Sequence, residues 1–209
     1  MTQVTFPTSG GEATGVIARP AAVVVIQEYW GINANIKDKV AAWSREGFVA
    51  IAPDLYHGKL AANADEAMKM MQALDWAKAM TEIAGAVEWA RANSNGKVAI
   101  TGYCMGGALA FAAATQLKGL AAVVPFYGVP PGADWSKVEA PVQAHFAEHD
   151  EWATVAKGKE IQAAIKNMQL HTYDAQHAFC NAHRPEVHNP TAASQAWARA
   201  VSFVRGHTT

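Results

Sequence analysis

The stretch Lys97-Val98-Ala99-Ile100-Thr101-Gly102-Tyr103-Cys104-Met105-Gly106-Gly107 constrains the fold more than any other part of the chain. Val98 to Ile100 is a short apolar run of buried-strand type. Ala108 to Thr115, small residues with Leu109 and Phe111 among them, read as a packed helix. The glycines between them mark a tight strand-to-helix turn with Cys104 at its apex. Gly102 and Gly106 keep Cβ atoms out of the crowded turn. The pattern is that of a G-x-nucleophile-x-G elbow carrying Cys in place of the more usual Ser. A thiol there sits at a helix N-terminus, where the peptide dipoles favour a thiolate. A Gly-flanked Cys before a helix also suits a small buried hydrophobe, with the glycines serving helix–sheet packing. Partners elsewhere in the chain separate the two uses.

Around the elbow the chain alternates strands and helices. Val4-Thr5-Phe6 and Gly15-Val16-Ile17-Ala18, separated by Ser9-Gly10-Gly11, read as a hairpin at a sheet edge. Ala22-Val23-Val24-Val25-Ile26 is a continuous β-branched run of the kind covered on both faces in a parallel sheet. Ile36, Val40 and Trp43 recur at helical spacing up to Glu46, and Phe48 to Ala52 is the next strand. Asp65 to Trp76 has helix-forming composition, and its Met68 and Met71 are expected to fill an irregular gap in the core. Met80, Ile83, Ala84 and Val87 give a further helical stripe. Leu120 to Val124, Val142 to Phe146 and Leu170 to Tyr173 read as strands, Lys157 to Met168 and Ala192 to Val204 as helices. This rhythm predicts a mostly parallel sheet with helices on both faces, connected right-handedly, with sites at the carboxyl ends of strands.

With 209 residues, 51% of them apolar, the chain suits one domain spanning 1–209. Its 17 basic and 18 acidic residues are mixed and leave a net charge of -1, which argues against nucleic acid as a partner. No apolar run is long enough to cross a bilayer and no secretory leader is recognisable, so a cytoplasmic protein is expected. Two cysteines do not make a disulfide framework, and a reducing compartment suits a working thiol. No cofactor and no metal site are expected. His145 and His149 straddle a strand end, and His183 and His188 lie in a Pro-rich loop, neither being a metal-binding arrangement. A monomer is compatible with the sequence.

A thiol nucleophile needs a base to take its proton and a carboxylate to orient that base, in the chain order nucleophile, acid, histidine. His177 lies in the loop Asp174-Ala175-Gln176-His177 after the last strand and before the last helix. Asp150 lies just past the strand ending at Phe146, so both loops open on the edge of the sheet that carries Cys104. Glu28, at the carboxyl end of the Ala22–Ile26 strand, is placed either as a solvated loop carboxylate or as a control on the Cys104 proton. The backbone N–H groups of Tyr29 and Met105 lie where such a fold builds an oxyanion hole.

Gln27-Glu28-Tyr29-Trp30-Gly31, Pro53-Asp54-Leu55-Tyr56, Gly102-Tyr103-Cys104-Met105-Gly106-Gly107, Phe126-Tyr127-Gly128, Glu148-His149-Asp150 and His177-Ala178-Phe179 resemble, in order, successive blocks of the dienelactone hydrolase family. The resemblance implies an α/β-hydrolase fold and hydrolysis of small ester or lactone bonds through a thioester on Cys104. It implies His177 as base, Asp150 as its orienting acid and Glu28 as the family's extra glutamate, which receives the thiol proton as substrate binds. Trp30, Tyr127 and Arg184 are the expected substrate contacts. The family grips a substrate carboxylate with two arginines. Here the first region offers only His57, Lys59 and Lys69, and the second reads Phe179-Cys180-Asn181, with its first arginine at Arg184. Two alternatives are a general carboxylesterase or thioesterase on neutral acyl groups, and a redox or binding protein in which Cys180 resolves an oxidised Cys104.

Overall fold

Every residue of β3 (Ala22–Ile26) and β5 (Val98–Tyr103) is buried in the computed structural model, which describes residues 2–209. The period-2 alternation of a strand divides the core into two layers. Val24, Ile26 and Ile100 pack against α3 (Trp76–Ala92) and α4 (Met105–Gln116). Val23, Val25 and Ala99 turn the other way, toward α1 (Ala34–Arg45) and α6 (Pro190–Thr208). Together with β4 (Val49–Ile51), β6 (Ala122–Phe126), β7 (Gln143–His149) and β8 (Gln169–Gln176) these strands form one six-stranded parallel sheet in the order β4-β3-β5-β6-β7-β8. α2 (Ala64–Gln72) and α5 (Val155–Ala164) complete the helical layers.

The chain leaves β3 for β4 on one side, then returns across β3 to β5 on the other. The order reverses between β3 and β5, and a crevice opens at their carboxyl ends. Glu28 lies two residues past β3 and Cys104 immediately past β5, so the topology sets both at that crevice.

The structure differs from the sequence-based expectation at several points. The N-terminal hairpin, β1 (Thr2–Thr8) with β2 (Gly11–Ile17), is not an edge of the main sheet but a separate two-stranded antiparallel sheet. β2 alternates between exposed and half-buried residues and contributes no fully buried side chain to hold it on the core. The segment Asp65–Trp76 is not one helix. Asp75 caps a new one, its side chain accepting from the Lys78 N–H, so Trp76 begins α3 instead of ending α2. α5 stops at Ala164, four residues short of Met168, and Asn167 takes a left-handed conformation (φ 62°) that turns the chain into β8. β6 starts at Ala122 and runs to Phe126, while β7 and β8 extend past Phe146 and Tyr173 to His149 and Gln176. Among the described residues no helix is long and apolar enough to cross a membrane.

Candidate active site

Cys104 joins β5 to α4 with φ 56° and ψ -116°, a backbone that a residue with a Cβ rarely adopts and that costs on the order of 1–3 kcal/mol. The surrounding glycines make the turn possible by letting backbones meet. A Cβ on Gly102 would lie 2.0 Å from the Gly106 carbonyl oxygen, and one on Gly106 would lie 2.3 Å from that of Ile26. The Phe126-Tyr127-Gly128 block belongs to the same clasp. A Cβ on Gly107 would meet the Phe126 carbonyl oxygen at 2.3 Å, and one on Gly128 would meet that of Cys104 at 2.2 Å. The Cys104 N–H donates to the Phe126 carbonyl at 3.1 Å. Behind the elbow α4 is buried from Met105 through Ala114, which fixes the position of its first turn. Among the described residues, the Tyr29 and Met105 N–H groups donate to no protein acceptor, which leaves both available to a ligand.

β7 and β8 end side by side and deliver Asp150 and His177 to one point. Asp150 Oδ2 and His177 Nδ1 are 2.6 Å apart, and the carboxylate side chain is wholly buried. Its other oxygen accepts from the Trp152 and Ala153 N–H groups at 2.9 and 3.0 Å, so the carboxylate is fixed at both ends. Burial pushes the Asp150 carboxyl up, but His177 and these N–H donors outweigh it and hold the group below its ordinary value. Burial by itself depresses the His177 imidazole. Its hydrogen bond with Asp150 and the charges of Cys104 and Asp150 overcome that and raise it to about 10. The imidazole is thus tied to the carboxylate through Nδ1, while Nε2 has no protein partner among the described residues.

Glu28 is 1% exposed. Oε2 accepts from Asn181 Nδ2 at 2.7 Å and from Asn35 Nδ2 at 3.3 Å, while Oε1 has no protein partner. Burial raises the carboxyl above its ordinary value, and the nearby charges of His177, Lys39 and Arg184 offset only part of the shift. Where the resemblance calls for an arginine, Asn181 supplies an amide. The solvated-loop placement of Glu28 is thus excluded.

The crevice has two lobes that share Cys104, His177 and Trp152. One, of about 350 Å3, is lined by Glu28, Tyr29, Trp30, His149 and Arg184. Arg184 lies over the Trp30 ring at 5.8 Å, with its Nε donating to Glu186 at 2.8 Å. Although it follows Asn181 by three residues, it reaches the cleft. The other lobe, of about 400 Å3, opens between α2, the α2–α3 break and the loop after β6. Met68 and Met71 line it, so they face the cleft in addition to packing on the core. Tyr127 is buried behind His177 with ring centroids 5.2 Å apart. Two residues went unselected by sequence reasoning. Trp152, 55% exposed with its ring 5.3 Å from His177, stands two residues after Asp150. Asn35 and Asn181 hold Glu28 from distant segments; Asn181 was expected only as the residue standing where the family has an arginine, and no local pattern marks Asn35.

Cys180 is buried, and burial pushes its thiol up to about 12. Such a thiol is a poor resolving partner for an oxidised Cys104. The four histidines weighed as metal ligands each have a separate partner, His145 the Tyr173 hydroxyl, His149 Asp174, His183 Asp38 and His188 the Phe179 carbonyl. Among the described residues no three metal-ligating side chains converge.

Comparison with known proteins agrees with this architecture. The chain is 33% identical to the protein named usf from Aquifex pyrophilus, over 99% of this chain and 98% of that one. It is also 33% identical to a carboxymethylenebutenolidase from Pseudomonas putida, over 77% of this chain and 75% of that enzyme. A dienelactone hydrolase-like promiscuous phosphotriesterase from metagenomic libraries shares the fold, with a TM-score of 0.82 at 21% identity and coverage of 100% and 99%. The model of the dienelactone hydrolase family matches residues 11–208, and the chain belongs to that family of α/β-hydrolase-fold enzymes.

Proposed function

We propose that this hydrolase cleaves small ester or lactone bonds with Cys104 as nucleophile, His177 as proton carrier, Asp150 as the acid orienting it and Glu28 as a second control on the thiol proton. The observation that carries the reading is the imidazole tied to Asp150 through Nδ1, with Nε2 unpartnered among the described residues, in the cleft that Cys104 also lines. His177 takes the Cys104 proton and the resulting thiolate attacks the carbonyl carbon. The carbonyl oxygen becomes an oxyanion accepting from the Tyr29 and Met105 N–H groups. Collapse expels the alkoxide, which takes the His177 proton and leaves a thioester on Cys104. Acylation removes the Cys104 charge, one of the interactions that raise the imidazole. The lowered imidazole then draws a proton from water, hydroxide attacks the thioester, and the carboxylic acid leaves with Cys104 restored.

Burial raises the Glu28 carboxyl above its ordinary value, and among the described residues one of its oxygens has no partner. That oxygen is available for exchanging a proton with the thiol when substrate enters. Trp30 and Arg184 line one side of the nucleophile and are the substrate contacts there, with Tyr127 backing His177. A buried Cys180 disfavours the redox alternative. A working thiol suits the cytoplasm, the compartment we propose.

The test is p-nitrophenyl acetate hydrolysis before and after iodoacetamide, with mass spectrometry of the acid-quenched enzyme. We expect an acetyl adduct on the Cys104 peptide during turnover and loss of turnover in proportion to alkylation of Cys104. Full turnover by Cys104-alkylated protein would overturn the assignment.

A further inference from the structure

The reading of Cys104 as nucleophile leaves one cavity unexplained. The second lobe also reaches the thiol, is not lined by Arg184, and apart from Cys104 and His177 has no ionisable side chain but the Tyr127 phenol in its wall. Met68 and Met71 from α2, Leu74 and Trp76 from the α2–α3 break, and Val129 from the loop after β6 surround about 400 Å3. The first four are half-buried, so their apolar surface faces the opening instead of disappearing into the core.

The two helices create this space. Had Asp65–Trp76 continued as one helix, Leu74 and Trp76, two apart and about 200° around the axis, would lie on opposite faces. The cap at Asp75 starts α3 on a new axis, and the gap at the break opens beside Met105. Flexible thioethers adapt to ligands of varied shape. A cavity of this size, apolar apart from the reacting groups at one end, matches a binding site for a small organic group.

We propose, resting on that reading of Cys104, that this lobe is a binding site for an uncharged apolar acyl arm of the substrate. The acyl carbon bonds to Cys104 and the hydrocarbon beyond it lies along Met68, Met71 and Leu74. The preferred substrate is thus an ester or lactone whose acyl part carries several methylenes or an equivalent ring. The polar lobe with Arg184 takes the leaving group.

The experiment measures kcat/KM for p-nitrophenyl acetate, butyrate and hexanoate with the wild type, the Met68→Gln/Met71→Gln double variant and Arg184→Ala. Fully burying a methylene is worth about 0.8 kcal/mol, close to a fourfold change. Partial burial in the lobe should therefore raise kcat/KM about two- to fourfold for each added methylene in the wild type. The double variant should lose most of that slope, and Arg184→Ala should keep it. The slope, not the absolute rate, is the readout, and circular dichroism confirms that the variants fold. A flat wild-type series, or an undiminished slope in the double variant, overturns the acyl lobe while leaving the nucleophile in place. A slope lost in Arg184→Ala instead puts the acyl arm in the other lobe and also overturns it. Ester turnover that survives alkylation of Cys104 removes the nucleophile and the lobe together.

Discussion

At the scale of single residues, His177 is the group whose surroundings most determine the chemistry. Its imidazole, which burial alone would depress, reaches about 10 because the hydrogen bond with Asp150 and the charges of Asp150 and Cys104 favour the protonated form. Replacing Asp150 with Asn removes one of those contributions, so the alkaline limb of the kcat/KM profile should move from near pH 10 toward neutrality. Some turnover should remain, because the orienting acid contributes less than the nucleophile–base pair. An alkaline limb at the wild-type position would show that Asp150 does not act on His177. Cys104→Ala should lower kcat by at least about a thousandfold with an unchanged unfolding midpoint, since its thiol is there for chemistry and not for packing. Gly128 makes a contrasting prediction. An alanine there would set its Cβ 2.2 Å from the Cys104 carbonyl oxygen and 2.4 Å from the Ala108 nitrogen, both of them backbone. Overpacking of this kind costs about 1–3 kcal/mol, and it would move the elbow. Gly128→Ala should therefore lose both stability, read as a lower urea midpoint, and kcat.

At the scale of elements, the site is made where segments far apart in the chain terminate together. Glu28 follows β3, Asn35 lies in α1 and Asn181 follows β8, yet their side chains meet in one buried cluster. Removing the 2.7 Å donor by Asn181→Ala would leave Glu28 with the longer Asn35 contact alone. That should cost about 1–3 kcal/mol in a urea titration near neutral pH, and lift the Glu28 pKa further. An unchanged midpoint would mean that water fully replaces the amide. The D-L-Y turn is tied in similarly. Leu55 donates its N–H to Gln27 Oε1 at 3.2 Å, and the Tyr56 hydroxyl donates to Met105 Sδ at 3.4 Å. These bonds connect the turn after β4 to both β3 and the start of α4.

At the scale of the whole molecule, one six-stranded sheet shared by both core layers is the basis for proposing a single domain. That core also carries a titratable cost. His145 is fully buried in β7 between Phe126 and His171, with Nδ1 bonded to Tyr173, whose hydroxyl also accepts from Arg199. Burial, reinforced by the charges of His171 and Arg199, holds it well below 6.5. The unfolded chain gains this proton first as pH falls, so its contribution to stability is complete above 6.5 and is lost below it. While His145 stays neutral in the native state, the loss approaches about 1.4 kcal/mol per pH unit. Urea midpoints measured from pH 7 to 5 should fall, and less steeply in His145→Gln. Equal slopes would refute the linkage.

The chain alone determined the alternation of strands and helices, the elbow at Cys104 and the order of its partners. Those features are local: β-branched runs, glycines that only a tight turn requires, and loops that must follow particular strands. The family resemblance was legible for the same reason, since its blocks sit at strand ends. The position of the hairpin, the break before Trp76 and the cleft-facing side of Met68 and Met71 were decided by tertiary structure. Helical spacing says which residues share a face, but not whether that face meets the core, a cavity or both. Nor could the sequence pair Asn181 with Glu28, a contact spanning 153 positions. Only packing brings such groups together, because long-range contacts depend on how strand ends are arranged in space and leave no period in the chain.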